Sequence, residues 1–312
     1  MPYQSNNPAT GNLLKTFPEM TDAQLEAKMA AAAAYFAVWR HKTYAERSKI
    51  AARAGQNLKP SSLELGGSDA FSVLEDADLD HALHWAVWGR MYNDGQTCVA
   101  AKRFIVVEAL ADAFLAGFRA ALMALIPGDP LDEATTLGPL STEAALVQLL
   151  GQVDAAVAKG AKLDLGGKRI SRAGSYMEPT FLTGVTPDKP AFRQEFFGPV
   201  ALFFRVTDDE AAIALASDSD FGLGGSVFTK DIARGKRVAS RIETGMMFVN
   251  NLDWADADLS FGGVKTSGYG RELGDLGIQQ FVNKKLVRIS AADAPAIGAA
   301  AVQKPEKIGE TA

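Results

Sequence analysis

The chain has 312 residues, 47% of them hydrophobic and 22% charged, enough to bury the cores of roughly two ordinary domains. Its 37 acidic and 32 basic residues are well mixed and sum to −5, and no Lys/Arg cluster could follow a phosphate backbone, so nucleic acid is not an expected partner. One cysteine rules out an internal disulfide and a thiolate-rich metal site; no apolar run reaches the ~20 residues of a membrane span, and the opening "MPYQSNNPATG" has no signal-peptide pattern, so a cytoplasmic protein is expected.

After turn punctuation and a short extended piece in "SNNPATGNLLKTFPEM", Thr21 and Asp22 open an Ala-rich helix expected to reach about Ala54. Leu25, Met29, Ala32, Ala33 and Phe36 form its apolar face. "SSLEL" reads as a strand that stops abruptly at Gly66 and Gly67. Leu79, Leu83, Ala86 and Val87 then recur at helical spacing, with Asp76 or Asp78 as the cap, and "KRFIVVE" is a β-branched strand. Helices are expected from about Ala111 to Leu125 and Thr142 to Lys159, followed by a short strand in "KLDLGG". "VALFFRV", a helix from Asp208, "GSVFT", a helix from Asp231 and "GMMFVN" complete the alternation. Strands alternating with helices of this length predict an α/β fold, a parallel-rich sheet with helices on its faces. Residues 291–312 lack periodicity and are expected to form a disordered tail.

The only cysteine, Cys98, lies in "MYNDGQTCVAAKRF". A lone cysteine is most often an inert core residue, but this one follows a turn at Asn93, Asp94 and Gly95, and Lys102 and Arg103 could favour a thiolate if they face the sulfur. A nucleophilic thiol also needs a base to activate water for the second half-reaction. None of the three histidines has a catalytic setting, and His81 and His84 lack further metal ligands, so no metal is expected. Glu64 is the candidate base: it alternates with Leu63 and Leu65 at a strand end, and two glycines leave room beside it.

"LELGGSDAF", with Glu64 standing 34 positions before Cys98, and "NDGQTC" resemble the two signature stretches of the aldehyde dehydrogenase superfamily. "RQEFFGPV", "FGLGGSVFT", "FVNN" and "FGGVKTSGYGRELG" extend the likeness in order from Ser62 to about Ser290. Ser68, where many relatives carry lysine, resembles the succinate-semialdehyde dehydrogenase branch. The resemblance implies that Cys98 attacks an aldehyde, that Glu64 activates the water releasing the acid, and that Glu195 and Phe197 meet the nicotinamide end of NAD or NADP. Asn93 matches a position that shapes the loop around the cysteine. Relatives specific for succinate semialdehyde often present an arginine six residues before the cysteine; Tyr92 stands there.

The resemblance also implies a gap. Family members separate the N-terminal helix from the "LELGG" strand by most of a dinucleotide-binding domain, on the order of 120–150 residues, whereas seven residues separate Gln56 from Glu64. The expected organisation is an N-terminal helical remnant of the cofactor domain over 1–63, a catalytic domain over 64–270, and an oligomerisation segment over 271–290 that precedes the tail. With the Rossmann-like cofactor domain largely absent, the expected activity is a cofactor-independent esterase or acyl hydrolase working through a Cys98 thioester. The alternatives are an NAD(P)-dependent dehydrogenase with residual cofactor binding, and a non-catalytic remnant that joins full-length relatives. A small-molecule ester or aldehyde and further copies of the chain are the expected partners, with neither nucleic acid nor membrane.

Overall fold

A computed structural model describes residues 3–6, 13–17, 20–39, 49, 52–252 and 254–289, and the chain divides into two compact units, Met1–Ser62 and Leu63–Ala312. The expected tail at 291–312 lies outside the described residues. In the first unit, β1 (Tyr3–Asn6) pairs antiparallel with β2 (Leu13–Phe17), and α1 spans Asp22–Trp39. Thr21 caps α1 reciprocally: its hydroxyl accepts from the Gln24 N–H, and its own N–H donates to Gln24 Oε1. The helix expected to reach Ala54 is described as far as Trp39, and helical turns recur at 52–56. Leu25 and Met29, expected on an apolar face, are exposed.

The second unit contains, in chain order, β3 (Leu63–Glu64), β4 (Asp69–Val73), α2 (Leu79–Met91), β5 (Ala101–Val107), α3 (Glu108–Met123), α4 (Glu143–Ala158), β6 (Lys162–Leu165) and β7 (Thr180–Thr183). It continues through α5 (Pro190–Arg193), β8 (Val200–Val206), α6 (Asp209–Ser217), β9 (Phe221–Gly222), β10 (Gly225–Phe228), α7 (Ile232–Ala239), β11 (Phe248–Val249), β12 (Val264–Lys265), β13 (Gly268–Tyr269) and α8 (Gly274–Ile278). Seven strands form one sheet in the order β11-β10-β4-β5-β8-β7-β6, parallel throughout except for the β6–β7 pair.

Both faces of the sheet are covered, which explains the apolar runs Phe104–Val107 of β5 and Val200–Phe204 of β8. Along β5, Phe104 and Val106 pack with Phe71, Phe114 and Phe118 on the side of α2 and α3. Ile105 and Val107 turn to the opposite side, against Leu146 and Val153 of α4 and Ala212 of α6. Four helices begin on a side-chain cap: Asp78, Thr142, Asp208 and Asp231 each accept a backbone N–H from the first turn. Asp76, the other candidate cap for α2, instead accepts from Thr229 Oγ1 and pairs with Arg234.

β3 departs from expectation. It falls within the five residues of "SSLEL" expected to form a strand. It is two residues long and pairs antiparallel with β13, Glu64 opposite Gly268 and Leu63 opposite Tyr269. β4 was not anticipated, although it lies in mid-sheet and all five of its residues are buried. Among the described residues no helix is long and apolar enough to cross a membrane.

Candidate active site

Three segments converge at the amino ends of three neighbouring parallel strands. β4, β5 and β8 are adjacent, with Asp69 opposite Ala101 and Arg103 opposite Leu202, so the stretches entering them, 64–68, 96–100 and 194–199, lie side by side. The first two touch at Gly67, where a Cβ would stand 2.7 Å from the Cys98 carbonyl oxygen. The third reaches them through Glu195, whose Oε1 accepts from the Gly67 N–H at 3.1 Å.

The loop before the cysteine is held in an unusual shape. Asn93, Asp94 and Gly95 all have positive φ, a region L-residues avoid and Asn, Asp and Gly tolerate best. Gly95 is obligatory, since a Cβ there would come 2.4 Å from the Gly198 carbonyl. Side chains lock the turn: buried Arg90 donates to the Gly95 carbonyl at 2.6 Å, Asn93 Nδ2 to the Gln96 carbonyl, and the Gly138 N–H to Asp94 Oδ1.

Cys98 itself is a half-buried free thiol. Burial pushes its pKa up; Lys102 and the Val99 N–H pull it down, while the Asp69 and Glu64 charges push it up. Of the two cations expected beside it, only Lys102 faces it. The Lys102 ammonium donates to the Thr97 and Cys98 carbonyls at 3.0 and 2.8 Å, whereas Arg103 is spent on the Ser68, Leu215 and Ala216 carbonyls.

Glu64 stands in the same electrostatic neighbourhood as the thiol. Among the described residues neither of its carboxylate oxygens finds a hydrogen-bond partner. Burial raises its pKa first, then the nearby Glu272 charge; Arg271 and the Gly263 peptide offset part of this. A desolvated carboxylate with few donors is a stronger base than one in water. Glu195 completes the cluster, with Oε1 at 3.1 Å from Lys102 Nζ and Oε2 directly over Gly66, where a Cβ would come within 2.4 Å. Phe197 lies on the same loop with 47% of its surface exposed.

The structure thus brings Cys98, Glu64 and Glu195 together and places Phe197 on the same rim. Sequence reasoning missed two participants, the Lys102–Glu195 ion pair and Glu272 beside Glu64. Both join residues too far apart in the chain for spacing to reveal. Among the described residues no group of His, Cys, Asp and Glu could hold a metal, and His81 is engaged with the Asn250 carbonyl.

Comparison with known proteins decides the family. Residues 48–287 match the aldehyde dehydrogenase family model. The chain belongs to the aldehyde dehydrogenase family. It is 49% identical over 241 residues to a succinate-semialdehyde dehydrogenase [NADP(+)] of Deinococcus radiodurans, covering 77% of this chain and 50% of that protein. It is also 49% identical over 238 residues to the Escherichia coli succinate semialdehyde dehydrogenase [NAD(P)+] Sad, covering 76% and 52%. Among solved structures, the Streptococcus pyogenes succinic semialdehyde dehydrogenase bound to NADP+ superposes with a TM-score of 0.76 at 44% identity, covering 78% and 54%. Gox0499 gives the same TM-score at 55% identity, covering 78% and 53%. The chain spans about half the length of these aldehyde dehydrogenases.

Glu195 and Phe197 are of the kind that could hold the nicotinamide end of a dinucleotide: Glu195 presents Oε2 over the bare Gly66 backbone as an acceptor for a hydroxyl, and Phe197 offers an exposed ring. The phosphate end has no matching cradle among the described residues. The Gly-rich stretch 222–225 leads from β9 into β10, and 262–270 carries the β12 and β13 strands, so neither opens a helix whose N-terminus could hold a pyrophosphate.

Proposed function

We propose that this chain carries the thiol chemistry of an NAD(P)-dependent aldehyde dehydrogenase acting on a short semialdehyde of the succinate semialdehyde class. The observation that carries this is the meeting of the Glu64 strand end, Cys98 and Glu195 at the amino ends of β4, β5 and β8. The relatives named as NADP(+)-dependent succinate-semialdehyde dehydrogenases supply the substrate class and the cofactor. The expectation of a cofactor-independent esterase gives way to this reading, because those relatives are oxidoreductases and nothing in the site is particular to ester hydrolysis.

The Cys98 thiolate forms a bond to the aldehyde carbon, and the carbonyl π electrons move onto oxygen. A bound nicotinamide would supply the hydride acceptor that this carbon needs; as the oxygen electrons re-form the carbonyl, an acyl thioester is left on Cys98. Glu64 takes a proton from water as the water oxygen attacks that thioester, and the C–S bond breaks to return the thiolate and release the acid. Glu195 would hold the ribose of a bound nicotinamide, and Phe197 would border its ring. Among the described residues only the nicotinamide end is provided for, so cofactor affinity is low and turnover requires high cofactor concentration. The exposed apolar side chains Phe281, Leu286, Val287 and Ile289 support association of further copies through the 271–290 segment.

Reduced-nicotinamide absorbance, followed after mixing the protein with succinate semialdehyde and excess NADP+, tests the assignment. The wild type turns over, Cys98→Ala forms no product, and Glu64→Gln releases one burst per chain and then stalls. No product from the wild type at any cofactor concentration, or steady turnover by Cys98→Ala, rejects it.

A further inference from the structure

We infer that Lys102 is a positioning residue that ties the nucleophile loop to Glu195, so that a group bound at the free oxygen of Glu195 is felt at Cys98. The inference rests on the reading of Cys98 as the nucleophile and of Glu195 as a cofactor contact, and it adds a residue to neither list: Lys102 touches no reacting atom.

The geometry is that of one buried ammonium with three acceptors. Lys102 sits at the start of β5 with its side chain 1% exposed. Lysine carries three N–H donors and no acceptor, and here the donors meet the Thr97 carbonyl at 3.0 Å, the Cys98 carbonyl at 2.8 Å and Glu195 Oε1 at 3.1 Å. The ammonium is therefore saturated and has no free rotamer to adopt. Thr97 and Cys98 contribute the carbonyls on either side of the Cys98 Cα. Fixing the Thr97 carbonyl also aims the Cys98 N–H, because a trans peptide points the two in opposite directions. The orientation of the nucleophile's backbone thus follows from where Lys102 is held, and Lys102 is held by Glu195.

Charge follows the same route. The charged groups that act on the Cys98 thiol are Lys102, Asp69 and Glu64, and of these only Lys102 favours the thiolate. Lys102 is in turn faced by Glu195, Arg90 and Asp69; Glu195 and Asp69 favour its charge, while Arg90 and burial oppose it. Glu195 Oε1 is already engaged by Lys102 and the Gly67 N–H, which leaves Oε2 for a ligand. A hydroxyl donating to Oε2 draws charge from the carboxylate and loosens its hold on the ammonium, while Asp69 and the Thr97 and Cys98 carbonyls keep the proton on Lys102, so more of the positive field is left at the sulfur. Binding at Glu195 would then prime the thiol that must act next.

Cys98 is the only cysteine, so the pH profile of its alkylation by iodoacetamide reads the thiolate directly. The measurement needs neither aldehyde nor dinucleotide, so its failure leaves the proposed activity standing, and an inactive enzyme with the expected profiles would leave the coupling standing. Lys102→Met is expected to move the profile to higher pH and slow labelling at neutral pH about tenfold, and Lys102→Arg to restore most of it. Glu195→Gln, which mimics a carboxylate relieved of its charge, is expected to move the profile to lower pH in the wild-type background and to do nothing beside Lys102→Met. A folded Lys102→Met protein with the wild-type profile overturns the inference. So does a Glu195→Gln profile that is unchanged or moved upward, or that moves equally with and without Lys102. Should Lys102→Met fail to fold, the Glu195→Gln and Lys102→Arg profiles still decide.

Discussion

Gly67→Ala places one methyl group against the backbone of Cys98, the proposed nucleophile. The added Cβ would lie 2.7 Å from the Cys98 carbonyl oxygen, 2.9 Å from Asp69 Oδ1 and 3.1 Å from Leu223 Cβ. None of these is the loose end of a flexible side chain. The Cys98 carbonyl is bound by Lys102, Asp69 Oδ1 accepts from the Gly224 N–H at 3.2 Å, and the Leu223 Cβ belongs to a fully buried residue. Ordinary contact begins at 3.4 Å, so the Cys98 peptide must retreat by about 0.7 Å (3.4 − 2.7) while still hydrogen-bonded to Lys102. The backbone at Gly67 is not left-handed, so alanine costs nothing there by conformation and the whole penalty is overpacking, about 1–3 kcal/mol. Displacement of a reacting group by ~1 Å costs on the order of 10²-fold in rate, so a loss of about 10- to 100-fold in Cys98 reactivity is expected. Iodoacetamide labelling and thermal melting read the two effects separately. Gly151→Ala is the control: Gly151 lies in α4 with nothing within 4 Å of its added Cβ, and the substitution should stabilise by roughly 0.5–1 kcal/mol without touching the thiol. Wild-type labelling and melting in Gly67→Ala would refute the claim that the two segments press on each other.

Stability should depend on pH through Glu64. Burial and Glu272 raise its folded pKa, so the native state binds this proton more tightly than the unfolded chain; the resulting stability is full below the unfolded pKa and is lost as pH rises through the folded value. Glu64→Gln should flatten that loss, seen as a smaller drop in denaturant midpoint between mildly acidic and neutral pH, and an unchanged pH dependence would count against a desolvated base. At the C-terminal end of the described chain, Phe281 and Leu286 are each about nine-tenths exposed. Phe281→Asp with Leu286→Asp should raise the monomer fraction in size-exclusion chromatography and leave the melting temperature within about 2 °C; an elution profile identical to the wild type would remove this segment from the interface.

The elements that sequence made plain are those in which one signal dominates. α4, α6 and α7 start at Thr142, Asp208 and Asp231 because a capping side chain ends the extended backbone there. β5 and β8 were readable because the apolar runs Phe104–Val107 and Val200–Phe204 are buried on both faces of the sheet. β4 was hidden for the opposite reason. Its Asp69 and Ser72 look like surface residues, yet both are buried at the centre of the sheet, where Asp69 Oδ1 accepts from the Gly224 N–H. Glu64 and Cys98 could be named from their motifs, but the register that brings their segments together depends on β4, which was not seen. Arg103 shows the limit of charge patterning. It follows Lys102 by one residue, and on a strand that single step turns it to the other face, onto three carbonyls instead of the nucleophile loop.

The position of the site explains why so much charge is buried beneath it. Ligands of open α/β sheets ordinarily collect at the carboxyl ends of the strands; here the reactive segments sit at the amino ends of β4, β5 and β8, where strand N–H groups and incoming loops converge. Arg90, Lys102 and Arg103 are all buried, and burial depresses the Arg90 pKa to about 9 and the Arg103 pKa to about 10. Such cations cost stability unless carbonyl and carboxylate oxygens surround them. The carbonyls they take include those of Gly95, Thr97, Cys98 and Ser68, so every one of the three pins a residue of the loops that carry Glu64 and Cys98. Replacing any of these cations by an apolar residue would free a carbonyl in the active-site wall, and the damage would fall on the placement of the thiol before it reached the fold.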